Sequence, residues 1–301
     1  MNKIYVSDYL NHGIKGHANY DFLDVVVNDD NCLFIDPILI EMADDDWCKE
    51  ANLLIQSFFN KFYEAYRSGS IVKKKDILAH SREQNGTRLG YGNGRNGKGN
   101  TAQGLLHDFR PLERLISKIT TIDKAEDLPV FIPGFAEDGL SDMITNILHD
   151  HLNQFTTQQL TKFGISNNSE KQFWTWNRTE ERWVKVNRPC YRIDGRELLL
   201  VPKNIVRKKY LFNTHQYFTR IILERMREDG YGIIDGKLIP KKDIVAGKRN
   251  SDKHWEYDEV ISYTTKCNDA LEEYHKKLPS FYAYRNLHMK DDEIDEYLYG
   301  E

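Results

Sequence analysis

Between residues 139 and 164 the apolar residues recur with the period of an α-helix. Ser141 is a favourable N-cap residue for such a helix, and Gly164 is a favourable C-terminal stop. The stretch therefore predicts a long amphipathic helix whose apolar face must be buried against the rest of the fold. That face consists of Leu140, Met143, Ile144, Ile147, Leu148, Leu152 and Phe155.

The pattern changes along the chain from helical spacing to β-like alternation. Helices are predicted over residues 47–69, 102–119, 139–164, 212–230 and 255–278, with a short helix or strand over 71–79. Hairpins are predicted over 20–40, 172–186 and 190–203, and a strand over 127–135. Because strands and helices do not alternate regularly, we predict an α+β fold of mixed helices and antiparallel hairpins. The polar loop near residue 166 suggests two parts, 1–165 and 166–301, or a single domain.

Bulk composition limits the class of protein. Hydrophobic residues make up 40% of the chain, which is enough for a sizeable core, and the formal net charge is −4. The four cysteines are far apart and form no CxxC pair, which is typical of a reduced cytoplasmic protein. No apolar run has the length of a membrane span, and the N-terminus has no secretory h-region. We therefore expect a bacterial cytoplasmic protein.

A polar stripe follows the predicted 139–164 helix. Asp142, Asn146, His149 and Asn153 are spaced so that they share one face of a continuous helix. Asp138 lies just before this helix in an acidic loop. An acid, an amide and an imidazole in line can bind a divalent metal, so we predict a Mg²⁺ or Mn²⁺ site at Asp138, Asp142, Asn146 and His149. A solvated helix face is the alternative.

The segment from residue 178 to 209 is basic. It contains ten Lys or Arg residues against four acids, a local balance of +6 in a chain of negative net charge. Such residues supply phosphate contacts, and interleaved aromatic rings can stack on unpaired bases. The alternative is a sheet edge protected by charge. The nucleic-acid-binding residues predicted here and in the glycine-rich stretch are Arg88, Arg95, Arg178, Arg182, Lys185, Arg188, Arg192, Trp176 and Trp183.

A glycine-rich stretch covers residues 82–104. Its Gly92, Gly97 and Lys98 match the first part of a phosphate-binding P-loop, but Gly99 stands where the Ser or Thr for magnesium belongs. Backbone N–H groups of such a loop can still bind an anion, and Glu83 is an acid just upstream. A substrate-gripping flap and a flexible connector therefore both stay open.

Four stretches together carry a resemblance: "LFIDPILI", "REQNGTRLGYGNGRNGKGN", "GFAEDGLSDMITNILHDHLNQFT" and "LLLVPKNIV". They resemble a family of uncharacterised bacterial proteins found near defence and mobile-element genes. The resemblance implies a role against phage or plasmids and one integrated unit, and it transfers no catalytic residues.

We predict a nucleic-acid-acting effector, a metal-dependent nuclease in bacterial defence. The predicted catalytic residues are Glu83, Asp142, Lys98 and Lys203, with the lysines stabilising phosphoryl charge. One alternative is a nucleotide-binding enzyme or sensor that uses the glycine-rich loop. Another is a non-enzymatic subunit that binds nucleic acid or a protein partner in a defence complex. A homo-oligomer also stays open, and no membrane association is expected.

Overall fold

The computed structural model describes residues 2–81, 85–91, 102–231, 233–234, 237–284 and 288–300. These residues form the expected α+β fold, in which helices surround small antiparallel sheets. The helices up to residue 162 are α1 (Val6–Leu10), α2 (Pro37–Met42), α3 (Asp46–Arg67), α4 (Ile71–Leu78), α5 (Ala102–Asp108), α6 (Arg110–Leu115), α7 (Asp127–Phe131), α8 (Glu137–Ile147) and α9 (His149–Lys162).

The C-terminal part is also helical. Its α-helices are α10 (Thr214–Tyr217), α11 (Leu223–Met226), α12 (Lys241–Lys248), α13 (Trp255–Lys266), α14 (Asp269–Tyr284) and α15 (Asp291–Tyr299). The π-helical segments Phe218–Ile222 and Arg227–Tyr231 follow α10 and α11, so the predicted 212–230 helix is helical throughout with two wider turns. Short 3₁₀ segments cover His17–Asn19 and Lys203–Ile205.

The strands pair in three antiparallel sheets. They are β1 (Phe34–Ile35), β2 (Ser169–Asn177), β3 (Arg182–Ile193), β4 (Arg196–Leu198), β5 (Val206–Arg207), β6 (Ile233–Ile234) and β7 (Lys237–Leu238). The order β2-β3-β4 confirms both hairpins predicted after residue 166, while β1 pairs with β5 and β6 with β7.

The β2–β3 hairpin lies between two helical layers. On one face, Phe173 stacks on His149 of α9 and Thr175 donates to the backbone of Ile147 at the end of α8. On the other face, the Trp176 indole donates to Ser57 of α3. Because side chains of a strand alternate between faces, this one hairpin connects both layers and fixes the strands that carry the basic segment.

The predicted aromatic helix is confirmed as α3. Its apolar face buries Phe58, Phe59, Phe62, Tyr63 and Tyr66, whose rings contact one another at centroid distances of 4.7–6.2 Å. This face is the densest aromatic part of the core and holds the helices against the hairpin.

The hairpin predicted over residues 20–40 is wrong. Only Phe34 and Ile35 are strand residues there, and Pro37 starts α2 instead of interrupting a strand. The Asp36 carboxylate accepts a hydrogen bond from the Ile38 N–H and caps this helix, with proline at a favourable first-turn position. The run at residues 33–40 is apolar apart from Asp36 because it is buried on all sides. Such a pattern does not distinguish a strand from a helix.

Two other predictions fail at element boundaries. Residues 127–131 form α7, where a strand was predicted between prolines. The 139–164 helix starts earlier, at Glu137, and breaks at Leu148, where the backbone leaves helical geometry with φ −90° and ψ 9°. Ser141 therefore lies inside α8, and its hydroxyl accepts the Ile35 N–H instead of capping the helix.

Strand pairing crosses the boundary proposed at residue 165. Phe34 of β1 pairs with Arg207 of β5, and Phe22 forms a bridge with Pro202. The division into two parts stays a prediction. None of the described helices combines the length and the apolar character needed to cross a bilayer.

Candidate functional site: a basic pocket beside the glycine-rich stretch

Charged side chains from four segments line one pocket of about 420 Å³. The segments are the loop before β1, the loop at residues 85–88, the start of β2, and the β3–β4 turn. Four of the charged side chains are cationic and two are acidic, so the formal charge of the lining is +2. We call this the basic pocket; its charged residues are Arg88, Lys171, Arg192, Arg196, Asp30 and Glu197.

Glu197 is the buried carboxylate of the basic pocket. It lies on β4 opposite Arg192, and its side chain is only 3% exposed. One oxygen, Oε2, accepts from Lys171 Nζ at 2.6 Å and from His149 Nε2 at 2.9 Å. The other oxygen, Oε1, has no hydrogen-bond donor among the described residues. Burial alone would raise the pKa of Glu197, but His149 and Lys171 hold this pKa below its usual range.

His149 is fixed by stacking as well as by its hydrogen bond with Glu197. The imidazole lies parallel to the Phe173 ring with centroids 3.8 Å apart, and its Nε2 faces Glu197. The helix break at Leu148 places His149 at the start of α9, above β2. The imidazole is therefore held in one orientation against the carboxylate.

Arg88 is held by its backbone and its guanidinium. Its φ of +60° is in the left-handed region, and its carbonyl accepts from both the backbone and the side-chain amide of Asn31. The guanidinium donates to the carbonyls of Val27 and Asn85. Burial and the neighbouring Arg196 both lower the pKa of Arg88, which means that two like charges lie close together in a poorly solvated place. An anion between them would relieve that repulsion.

The part of the chain that forms this pocket matches a known protein family. Residues 13–213 match the model of a domain of unknown function, DUF8370. The chain belongs to the DUF8370 family. The matched segment includes every residue of the basic pocket and both hairpins that build it. No curated protein and no solved structure matches the chain.

Within the DUF8370 segment, three other arginines that were predicted to bind nucleic acid have acidic partners. Arg178 pairs with Glu50, and Arg182 pairs with Glu180. Arg188 holds Asp150 with two hydrogen bonds, of 2.7 and 3.1 Å. The predicted continuous basic stripe is therefore partly compensated by acids, whereas Arg192 and Arg196 converge with Arg88 and Lys171 on the basic pocket, and Lys185 is exposed on β3.

Trp176 and Trp183, predicted to stack on bases, belong to the core of the DUF8370 fold. They are 3% and 7% exposed, and both rings pack against Phe58 with centroids 5.1 and 5.6 Å away. The Trp183 indole donates to the Ile77 carbonyl. Their ring faces are occupied by protein, so neither offers a surface for a base. Trp174 is the exposed indole of this hairpin, at 38%.

The residues of the predicted metal site are not brought together. His149 is bound to Glu197, and the Asn146 amide donates to the backbone carbonyl of Asp142 inside α8. Asp138 lies next to Gly90, where an added Cβ would be 2.8 Å from its carboxylate. The spacing argument assumed a continuous helix, and the break at Leu148 removes that assumption. The stripe is also not a solvated face, because Asn146, His149 and Asn153 are all buried.

Lys203, which was predicted to be catalytic, makes its contacts outside the basic pocket. Lys203 Nζ donates to the His17 carbonyl at 2.6 Å and pairs with Asp291 at 2.7 Å, so it links the N-terminal segment to α15. Glu83, Arg95 and Lys98 lie outside the described residues. In the basic pocket, the carboxylate that a lysine contacts is Glu197, paired with Lys171.

The glycine-rich stretch is anchored where its described part ends. Gly90 N–H donates to the Asn31 carbonyl, and the Tyr91 hydroxyl lies 3.3 Å from a Glu137 carboxylate oxygen at the start of α8. Burial and the Glu137 charge raise the pKa of Tyr91 to about 12. The stretch therefore leaves the described fold beside the acidic start of α8, and Asn85 and Gly86 at its other described end line the basic pocket.

Sequence reasoning missed several residues that converge. Lys171 and Arg196 lie in the basic pocket, and Asp30 joins them from a loop before β1. The described residues also bring metal-ligating atoms of Asp123, Asp127 and His275 within 4.8 Å of one another. The acidic "DKAED" run at residues 123–127 was a usable signal, but its histidine comes from the other end of the chain.

Proposed function

We propose that the protein acts on nucleic acid and that a phosphate of the strand binds in the basic pocket. The convergence of Arg88, Lys171, Arg192 and Arg196 on one pocket is the observation that carries this proposal. Guanidinium and ammonium groups are the usual protein donors to phosphate oxygens. The repulsion between Arg88 and Arg196 makes an anionic ligand the natural occupant.

A strand, as opposed to an isolated phosphate, is favoured by a feature on the opposite face of the same hairpin. Trp174 of β2 pairs with the exposed Lys185 of β3 on the face away from Lys171, and one face of the Trp174 ring stacks on His80 with centroids 4.1 Å apart. An exposed indole and an ammonium group side by side are typical of surfaces that hold single-stranded nucleic acid. The resemblance to proteins encoded near defence genes favours phage or plasmid nucleic acid as the target.

Binding of fluorescein-labelled single-stranded DNA and RNA, measured by fluorescence anisotropy, tests this proposal. The Arg192→Gln/Arg196→Gln double variant removes two exposed cations of the pocket, and we expect its Kd to rise at least about tenfold. The Arg178→Gln/Arg182→Gln double variant is the matched control. It makes the same change in charge on the same hairpin, but removes guanidiniums that acids already neutralise, and we expect less than about a threefold effect.

Equal weakening by the two double variants would mean that general surface charge, not the pocket, binds the strand. Absence of binding by the unmodified protein at low salt would overturn the proposal.

The pocket also has a volume typical of small-ligand sites. If mononucleotides raise the melting temperature and the strand does not bind, the ligand is a free nucleotide.

Strand cleavage is a second candidate activity, favoured by the state of Glu197. Its Oε1 is buried without a described donor, and Lys171 lies on its other oxygen. A carboxylate with an open oxygen can hold Mg²⁺ or Mn²⁺, and a nearby lysine can stabilise charge on a phosphoryl group.

The corresponding assay incubates DNA or RNA with the protein and Mg²⁺ or Mn²⁺. We expect cleavage that is lost in Glu197→Gln and kept in Glu170→Gln, which changes an exposed acid on β2. Cleavage that survives Glu197→Gln would remove Glu197 from the reaction. Binding without any cleavage would leave the protein as a non-enzymatic subunit.

A further inference from the structure

A cluster of metal-ligating side chains lies away from the residues of the basic pocket in sequence, between the segment before α7 and the helix α14. Ligand atoms of Asp123, Asp127 and His275 all lie within 4.8 Å of one another. His275 Nε2 and Asp127 Oδ1 are 2.7 Å apart. Three residues from two distant segments of the chain therefore meet at one point.

Asp127 is oriented by the backbone around it. Its Oδ2 accepts hydrogen bonds from the N–H groups of Asp123 and Lys124, both at 2.9 Å, which leaves Oδ1 directed at His275. Asp127 is fully buried, whereas Asp123 is exposed. The cluster thus combines a fixed interior ligand with an outer ligand that an ion from solvent can reach.

A second observation points to a cation at this place. Glu126 is only 4% exposed, and its Oε1 has no hydrogen-bond donor among the described residues. It lines the same pocket, of about 180 Å³, as Asp123. A buried carboxylate oxygen without a donor is costly. Lys124 Nζ lies 3.7 Å from this oxygen and 3.6 Å from Glu41, so two carboxylates share one ammonium group.

We propose that Asp123, Asp127 and His275 bind a divalent transition-metal ion. A mixed set of carboxylate and imidazole ligands suits Zn²⁺ or Mn²⁺, whereas Ca²⁺ and Mg²⁺ take oxygen ligands and leave an imidazole unused. The ion would connect the segment before α7 to α14, and this assignment does not depend on the ligand of the basic pocket.

Isothermal titration calorimetry of the full chain, first stripped with EDTA, tests the site with Zn²⁺ and Mn²⁺ as probes. We expect one ion per chain at this site and a higher melting temperature with the metal, because an ion that binds only the folded state stabilises it. His275→Gln and Asp123→Asn should each weaken binding by about 100-fold or more, since even residues behind metal ligands contribute 10- to 100-fold.

Asp123→Asn changes an exposed residue, so it keeps the test decisive if His275→Gln does not fold. Asp108→Asn is the matched control, because Asp108 and His107 form an exposed Asp–His pair at 3.5 Å on α5. We expect this variant to bind the metal with an affinity within about twofold of the unmodified chain. A protein that binds neither ion more tightly than about 1 mM would overturn the proposal. Asp123→Asn and His275→Gln proteins that bind as tightly as the unmodified chain would overturn it equally.

Discussion

At the scale of single residues, Glu197 shows how a side chain acquires a role that its neighbours in sequence do not reveal. Along the chain it is followed by the apolar end of β4, and the nearest downstream lysine, Lys203, is committed to His17 and Asp291. The lysine that pairs with Glu197 is Lys171, which comes from the far strand of the same sheet. Lys171 is 26 residues away from Glu197 along the chain, so only the strand arrangement determines that these two side chains meet.

Asp36 gives a prediction at this scale. It is fully buried, caps α2 and accepts the Tyr282 hydroxyl at 2.7 Å, and burial raises its pKa to about 6. Its unfolded pKa is about 3.9, so between about pH 4 and pH 6 the folded state holds a proton that the unfolded state has lost. The contribution of Asp36 to stability is therefore fully present below about pH 4 and declines as the pH rises to about 6.

The Asp36→Asn variant keeps an oxygen for the Ile38 N–H and has no proton to lose. Relative to the unmodified protein, its free energy of unfolding should rise by about 2–3 kcal/mol between pH 4 and pH 6.5, as measured by urea denaturation. Tyr282→Phe removes a donor to the carboxylate and should move this window to higher pH. If the difference in free energy of unfolding between Asp36→Asn and the unmodified protein does not change with pH, the pKa of Asp36 is not raised in the folded state.

At the scale of elements, sequence periodicity predicted those helices and turns that depend on local sequence alone. The helical spacing of α3 and the Asp-Gly turn of the β3–β4 hairpin were both read correctly, because each is a local property of the chain. The strand predicted at residues 127–135 failed because a short apolar segment with prolines satisfies either structure. The break at Leu148 could not be seen, since every residue around it fits a helix and the contacts made by His149 come from β2 and β4.

The β3–β4 turn gives a prediction at this scale. Asp194 and Gly195 have φ of +51° and +76°, the pair of left-handed conformations required by a two-residue hairpin turn. An added Cβ at Gly195 meets nothing within 4 Å, so Gly195→Ala should cost only the backbone strain, about 1 kcal/mol in urea unfolding.

Gly247→Ala is the matched comparison. Gly247 lies in α12, and an added Cβ there also meets nothing within 4 Å. Alanine is the better helix former, so this variant should gain about 0.5–1 kcal/mol. A neutral or stabilising effect of Gly195→Ala would show that the turn does not need its left-handed conformation.

At the scale of the whole molecule, the distribution of charge along the chain could be predicted from the sequence, but its distribution in space could not. The chain has a formal charge of −4, and the basic segment at residues 178–209 has a local balance of +6. Sequence counting placed the positive charge correctly along the chain. It could not show that Arg178, Arg182 and Arg188 are paired with acids, or that Arg88 and Lys171 join Arg192 and Arg196 from elsewhere. Apart from Arg182 with Glu180, these contacts join residues that are distant along the chain, so no local pattern records them.

The salt dependence of strand binding tests the central claim most directly. Each neutralised phosphate on a single strand contributes about −0.7 to the slope of log K against log salt concentration. The four cations of the pocket can neutralise between one phosphate and four, so they predict a slope between about −0.7 and about −3. A continuous stripe of ten cations would give about −7. A titration series of fluorescence anisotropy at increasing NaCl measures this slope. A value between about −0.7 and about −3 that becomes shallower in Arg192→Gln/Arg196→Gln supports the basic pocket, and a value near about −7, or binding that is indifferent to salt, contradicts it.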